Sequence, residues 1–413
     1  MKHLYRFAFL SLFFVSCLQE DGADPATPAT FLRYYNGGNN DTAADLLKTA
    51  DGGYLILATT DISPKDAPAY SKVKLIKTDA YGNVEWQNLY PGFTEAGHET
   101  VRWRASSVSL KSDGGYIVAG DDIQSGVARF LVLSVNADGT LSRPAQTLAL
   151  ENDANGVSGM AIVEQNGSYF VLGKINTGTN NMVLASINTS DFSTAWSKAY
   201  GSGESSLINR LFVDNANRMV WAGTLQQEAA QPDMRLVRAF PNAQNTDFDL
   251  NIGEPTISET ANGICRYGNG FALIGSTNQK GTGTGDTDIL FKKVSEDGLV
   301  LSTHSFPVTV EGVDQQQNEV GNAIASTRDG GLVLLGTMPS TAEIGRGEED
   351  LMLLKVNAFG DLEWQQIHGS DQQDEGASVV QADDGGYVVL ATTLLANLQT
   401  LTLLKTNGEG KVN

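Results

Sequence analysis

The chain has 413 residues, 41% of them hydrophobic and 18% charged, which is enough apolar content to bury a large core. Its 28 Lys and Arg face 48 Asp and Glu, giving a net charge of −20. Such a surface repels phosphate backbones, so no nucleic-acid partner is expected, and any charge-driven ligand should be a cation or Ca²⁺.

The first element is a leader. "MKHLYRFAFLSLFFVSC" pairs basic Lys2 and Arg6 with an apolar run from Phe7 to Val15, far shorter than the roughly 20 residues of a membrane-spanning helix. Its end, "FVSC", resembles the bacterial lipobox, which implies a signal peptide over residues 1–16 and lipidation of Cys17. Residues 17–29 ("CLQEDGADPATPA") are polar and Pro/Ala-rich, a tether of about 40 Å at full stretch. With Cys17 acylated, Cys265 has no disulfide partner. It falls in an apolar strand pattern and reads as a small buried hydrophobe.

Residues 30–413 repeat one unit. Tyr54, Tyr116, Tyr169, Met219, Phe271, Leu332 and Tyr387 each follow a turn cluster and open an apolar run ending in Ala or Gly, such as "YLILA", "YIVAG" and "YVVLA". Each run has an apolar stretch before it ("ADLLKT", "ASVVQA"), another after it ("KVKLIKTD", "LMLLKVN"), and a fourth beyond a Gly turn ("GNVEWQNLY", "GDLEWQQIHG"). β-branched and aromatic runs between Asp/Gly turns are buried strands, and no 3.6-residue period competes with them. Seven units of four short antiparallel strands predict an all-β fold, a seven-bladed β-propeller. The seventh unit ends without its fourth strand, while "TFLRYYNGG" begins with no unit before it. Phe31–Tyr35 is therefore expected to complete the last blade and close the ring, as a monomer.

This strand order sorts the connections onto two faces. The "DGG" turns at Asp51, Asp113, Asp329 and Asp384 are tight, with Asp capping and Gly supplying positive φ, so they read as scaffold. The second-to-third loops and the outer-to-inner crossings are long and irregular, and share the opposite face. Binding usually resides in such loops.

Three constellations carry candidate chemistry. Asp41, Glu259, Glu319 and Asp374 precede the innermost strands, with Trp103 at the equivalent place in the second unit. Convergent carboxylates would bind a cation or Ca²⁺ at the channel mouth, or else cap turns; no other cofactor is expected. "GTGDTD" (Gly283–Asp288) and "GRGEED" (Gly345–Asp350) share G-x-G-x-x-D, but no helix follows to bind a dinucleotide, so each is a turn with an ordered Asp. The loop "EAGHETVRWRAS" concentrates His98, Glu99, Arg102, Trp103 and Arg104, residue types common in binding hot spots and, for Trp, suited to sugar rings. No H-E-x-x-H or G-x-S-x-G occurs, and nothing specifies an enzyme.

The unit "DGGYIVAG…LLK.DA.GN..W" resembles repeats of bacterial, especially Bacteroidetes, propeller lipoproteins over nearly all of residues 30–413. Acidic residues just after Cys17 resemble the surface-export signal of that group, implying a lipid anchor in the outer membrane and exposure at the cell surface. "TDAYGNVEW" also resembles the quinoprotein-type repeat and, less well, the Asp-box of sialidases, whose Asp-to-Gly spacing is one residue shorter. These likenesses imply fold, not activity. Three functions follow as alternatives: a non-enzymatic module binding a glycan, peptide or outer-membrane protein; an outer-membrane assembly scaffold of quinoprotein-like type; or a glycan hydrolase or lyase at the channel mouth. A hydrolase requires two carboxyls about 5–10 Å apart in a pocket, one with a perturbed pKa. A scaffold requires a contiguous exposed apolar patch.

Overall fold

The structure, a computed structural model, describes residues 29–412 except 64–68, 92–101, 151–155, 177–181, 201–203, 208–209, 227–230, 243–244, 255, 280–285, 311–312, 315–316 and 341–343. Cys17, His98 and Glu99 therefore lie outside the described residues. Seven four-position antiparallel blades form a ring, and no helix occurs among the described residues. Blade 1 comprises Asn40–Lys48, Tyr54–Ile62, Tyr70–Thr78 and Val84–Tyr90, counted from the axis outward. Blades 2, 3, 5 and 6 follow the same order from inner strands Trp103–Leu110, Val157–Gln165, Glu259–Tyr267 and Val320–Ser326. Blade 7 is built from Asp374–Gln381, Tyr387–Leu395, Leu398–Lys405 and, as its outer strand, Phe31–Tyr35. Phe31 pairs with Lys405 and Tyr35 with Leu401, so the ring closes as the sequence predicts.

The core consists of radial seams between neighbouring blades. At the closing seam, Phe31, Tyr35, Leu390 and Leu403 of blade 7 pack against Leu46, Tyr54, Ile56 and Ile76 of blade 1. Full burial of each such side chain contributes roughly 1.5–3 kcal/mol, so a seam outweighs any single turn. Polar contacts then set the angle between blades. Tyr35 Oη donates to the Gly82 carbonyl at 2.8 Å and Tyr90 Oη to that of Gly139 at 2.5 Å, each crossing to the turn before the next blade's outer strand.

The "DGG" turns are structural, for reasons visible in the first copy. Asp51 accepts the Gly53 amide and is bridged by Lys77 of the third strand at 2.7 Å. Gly52 has φ +82°, and a Cβ on Gly53 would collide with the Thr78 carbonyl. Lys355 bridges Asp329 at 3.0 Å and Lys405 bridges Asp384 at 2.8 Å in the same way, which explains why "DGG" and "LLK" recur together. The opposite face carries connections ranging from two-residue turns at Ser125–Gly126 and Ala396–Asn397, with positive φ throughout as type I′ requires, to the long segment joining Pro339 to Glu349.

Every inner strand departs from regular pairing. Single-residue bulges fall at Ala44, Ser106, Met160, Asn262, Asn322 and Ala377 in six blades. In blade 4 two strands, Glu204–Leu207 and Phe212–Val213, pair separately with Met219–Gln226.

Candidate functional site

Pairing register puts the carboxylates found in the sequence at one blade position. Asp41 lies opposite Thr60, Glu259 opposite Thr277 and Asp374 opposite Thr393, with Trp103 likewise opposite Asp122. Glu319 immediately precedes its inner strand. They are buried and held apart, each inside its own blade or the crossing that leads to it. Asp41 accepts from Thr60 Oγ1 and from Lys74 Nζ, both at 2.6 Å. Glu259 accepts from Lys292 Nζ at 2.7 Å, Glu319 from the Val308 amide at 3.3 Å, and Asp374 from Thr393 Oγ1 at 2.5 Å and the Ser370 amide at 2.6 Å. Among the described residues no group of three or more His, Cys, Asp or Glu is placed to hold a metal.

The basic loop is also divided. Arg102 and Arg104 are exposed, whereas Trp103 is 8% exposed and packs with Leu57, Val73 and Val118 in the seam of blades 1 and 2. Its ring is a core element and presents no platform to a sugar. Arg104 stands opposite Asp121, whose carboxyl burial pushes up to about 6 against the pull of the Gly159 amide and the Arg104 charge. Cys265 is half-buried in blade 5, and burial pushes its thiol up to about 12, which makes it a poor nucleophile.

Two further sites are not among those expected from the sequence. The first is on the axis. Arg210, which lies between Glu204–Leu207 and Phe212–Val213 of blade 4, donates to Asp45 of blade 1 at 2.7 and 3.1 Å and to Ser378 of blade 7 at 3.2 Å. Asp45 also accepts the Val108 amide of blade 2 at 3.1 Å. These residues, with Asn262 and Asn322, line a cavity of about 90 Å³.

The second is a cleft of about 530 Å³ between blades 6 and 7. Leu32 and Tyr34, on the face of the closing strand opposite Phe31 and Tyr35, form one wall at 43% and 45% exposed. Ile344, Ile367, Leu404 and Val412 supply further apolar surface, and Asp350 and Asp374 line the deep end. Asp350 is the ordered acid of "GRGEED": its Oδ2 accepts the Arg346 amide at 2.6 Å and the Ser340 hydroxyl. Its Oδ1 is buried without a hydrogen-bond partner. Burial first, with the Asp374 carboxylate adding, pushes the Asp350 carboxyl up against the hydrogen bonds from Ser340 and Arg346. His368 also lines the cleft, but its Nε2 lies 2.8 Å from the Gly410 carbonyl and burial pushes its imidazole down, so it brings no positive charge at neutral pH. A signal for this site did exist in the sequence. Thr402 stands in blade 7 where blade 1 places Lys74, but only pairing register reveals the equivalence.

No family model matches the sequence, and no curated protein does. Solved structures do match. An α-L-arabinanase from Penicillium chrysogenum, complexed with arabinobiose, gives TM-score 0.52 at 10% identity over 93% of this chain and 99% of that one. The Dos1 propeller gives 0.51 at 9% identity, over 90% and 94% of the two chains. A protein of unknown function from Dyadobacter fermentans gives 0.50 at 11% identity, over 92% and 98%. At such identities the likeness is one of fold, and the chain is a seven-bladed β-propeller.

Proposed function

We propose that this chain is a lipid-anchored, cell-surface binding module whose ligand enters the cleft between blades 6 and 7. That cleft carries the reading, because it combines apolar walls with a few inward polar groups, as ligand sites do. The lipobox-like "FVSC" and the acidic tether support the location. A hydrolase is the weaker reading. Asp350 and Asp374 form a carboxyl pair with one raised pKa, yet Asp350 Oδ2 and both oxygens of Asp374 are bonded within the fold, which leaves one unbonded carboxylate oxygen where hydrolysis needs two working carboxyls.

One observation favours the scaffold as a second reading. On the tight-turn face, Phe359 and Leu301, 77% and 58% exposed, line a groove of about 580 Å³ between blades 5 and 6. Affinity capture with the lipidated protein from its native outer membrane tests both. Reproducible recovery of a partner that Phe359→Asp retains and Tyr34→Ala loses is expected. Loss through Phe359→Asp instead selects the scaffold, and reproducible recovery of nothing overturns both.

A further inference from the structure

We propose that the cleft between blades 6 and 7 is a site for a primary alkylammonium group, the chemistry of a lysine side chain. The inference rests on the binding reading above and names its ligand class. It follows from comparing blade 7 with blades 1 and 5. The buried acid at the shared position is matched by a lysine in two of them, Asp41 by Lys74 at 2.6 Å and Glu259 by Lys292 at 2.7 Å. Lys74 lies opposite Ala58, the fifth residue of its second strand, whereas Lys292 reaches its acid from two residues further along, opposite Leu273; the residue opposite the equivalent Ala391 in blade 7 is Thr402. Thr402 spends its hydroxyl on Thr393 Oγ1 at 2.7 Å and cannot neutralise Asp374.

The exchange of lysine for threonine has two consequences. Where Lys74 fills the seam between blades 7 and 1 with a buried four-carbon stem, Thr402 leaves the corresponding seam between blades 6 and 7 open, and Thr402 itself lines the cleft. Charge is left over as well. Among the described residues no Lys or Arg makes an ion pair with Asp374 or Asp350; Arg346 gives Asp350 its backbone amide, and its exposed guanidinium adds only a weaker attraction from the rim. The unpartnered Oδ1 of fully buried Asp350 is an independent mark of the same deficit. Buried charge of one sign without a partner is costly, and a charge-assisted hydrogen bond from an ammonium relieves it. The apolar walls of Leu32, Tyr34 and Leu404 suit the methylene stem.

The test is calorimetric titration of the full mature protein with n-pentylammonium and, as the neutral counterpart, n-pentanol. Saturable binding of the ammonium alone is expected. Thr402→Lys, which supplies the missing cation from within, should weaken that binding at least about tenfold and raise the melting temperature; Asp374→Asn should weaken it by a similar factor. Thr402→Lys adds a partner rather than removing one, so it remains decisive even if Asp374→Asn fails to fold. Unchanged ammonium binding by Thr402→Lys, or equal binding of pentanol, overturns the inference. A short lysine peptide that binds more tightly than pentylammonium, and loses binding on Nε-acetylation, assigns a polypeptide source; equal affinities assign a free amine. A protein that captures its partner yet ignores pentylammonium keeps the binding reading and sinks this one.

Discussion

At the centre of the ring a guanidinium from blade 4 holds together carboxylate, hydroxyl and amide groups of blades 1, 7 and 2. Asp45 is buried, and burial pushes its carboxyl up more than Arg210 and the Val108 and Leu46 amides pull it down. Arg210 thus makes an otherwise unfavourable charge tolerable. Arg210→Ala should destabilise the fold by about 2–3 kcal/mol, the modest end for a broken buried pair because the Arg210 side chain is 38% exposed. Adding Asp45→Asn should recover much of that loss, since it removes the stranded charge. Denaturant unfolding of the two single variants and the double checks this; additive losses would show that the pair is not coupled. Neither residue stands out in the sequence. Asp45 and Arg210 occupy equivalent places in the first-strand runs of their units ("DLLKT", "RLFVD"), nine residues before Tyr54 and Met219, and nothing local shows that they meet across 165 positions.

Within a blade, the "DGG" turn is a lock between the second and third strands, and its acids report on pH. Burial alone would raise Asp51 and Asp329, but bonds from lysine, threonine and the glycine amide outweigh it and hold both at about 2, against an ordinary value of 3.8. A folded value below the unfolded one means stability that is fully present above about pH 4 and is lost as pH falls toward 2. Asp51→Asn/Asp329→Asn should therefore melt lower at neutral pH and show a shallower fall of melting temperature between pH 4 and 2. A slope equal to that of the unchanged protein would exclude the lock as its source. Asp121 acts with the opposite sign: held at about 6, it contributes stability below pH 4 that disappears as pH rises through 6. The turn was legible because Asp, Gly and Lys recur at fixed spacing, and the chemistry is local.

For the ring as a unit, closure by Phe31–Tyr35 decides cooperativity. The strand covers the edge of Leu398–Lys405 and supplies Phe31 and Tyr35 to the seam with blade 1. Deleting residues 30–37 should expose that edge, lower the melting temperature of the entire domain and promote self-association. Scanning calorimetry that finds melting unchanged would mean the ring does not depend on its clasp. The same strand also carries Leu32 and Tyr34 to the cleft, so the deletion removes one wall of the candidate site.

Periodicity and turn chemistry act over a few residues, and they suffice to dictate the architecture: seven repeats, four strands each, an offset that closes the ring, and turns that are scaffold. The same local pattern locates the acid position shared by Asp41, Glu259, Glu319 and Asp374, though not its role. Folding of the ring is what buries and separates these acids, assigns Trp103 to a seam and brings Arg210 to Asp45. The cleft depends on that long-range assembly most of all. Its walls come from the first strand and the last two blades, and its character rests on one threonine standing where pairing register in blade 1 places a lysine. Burial and register are properties of the closed ring, and no local pattern carries them.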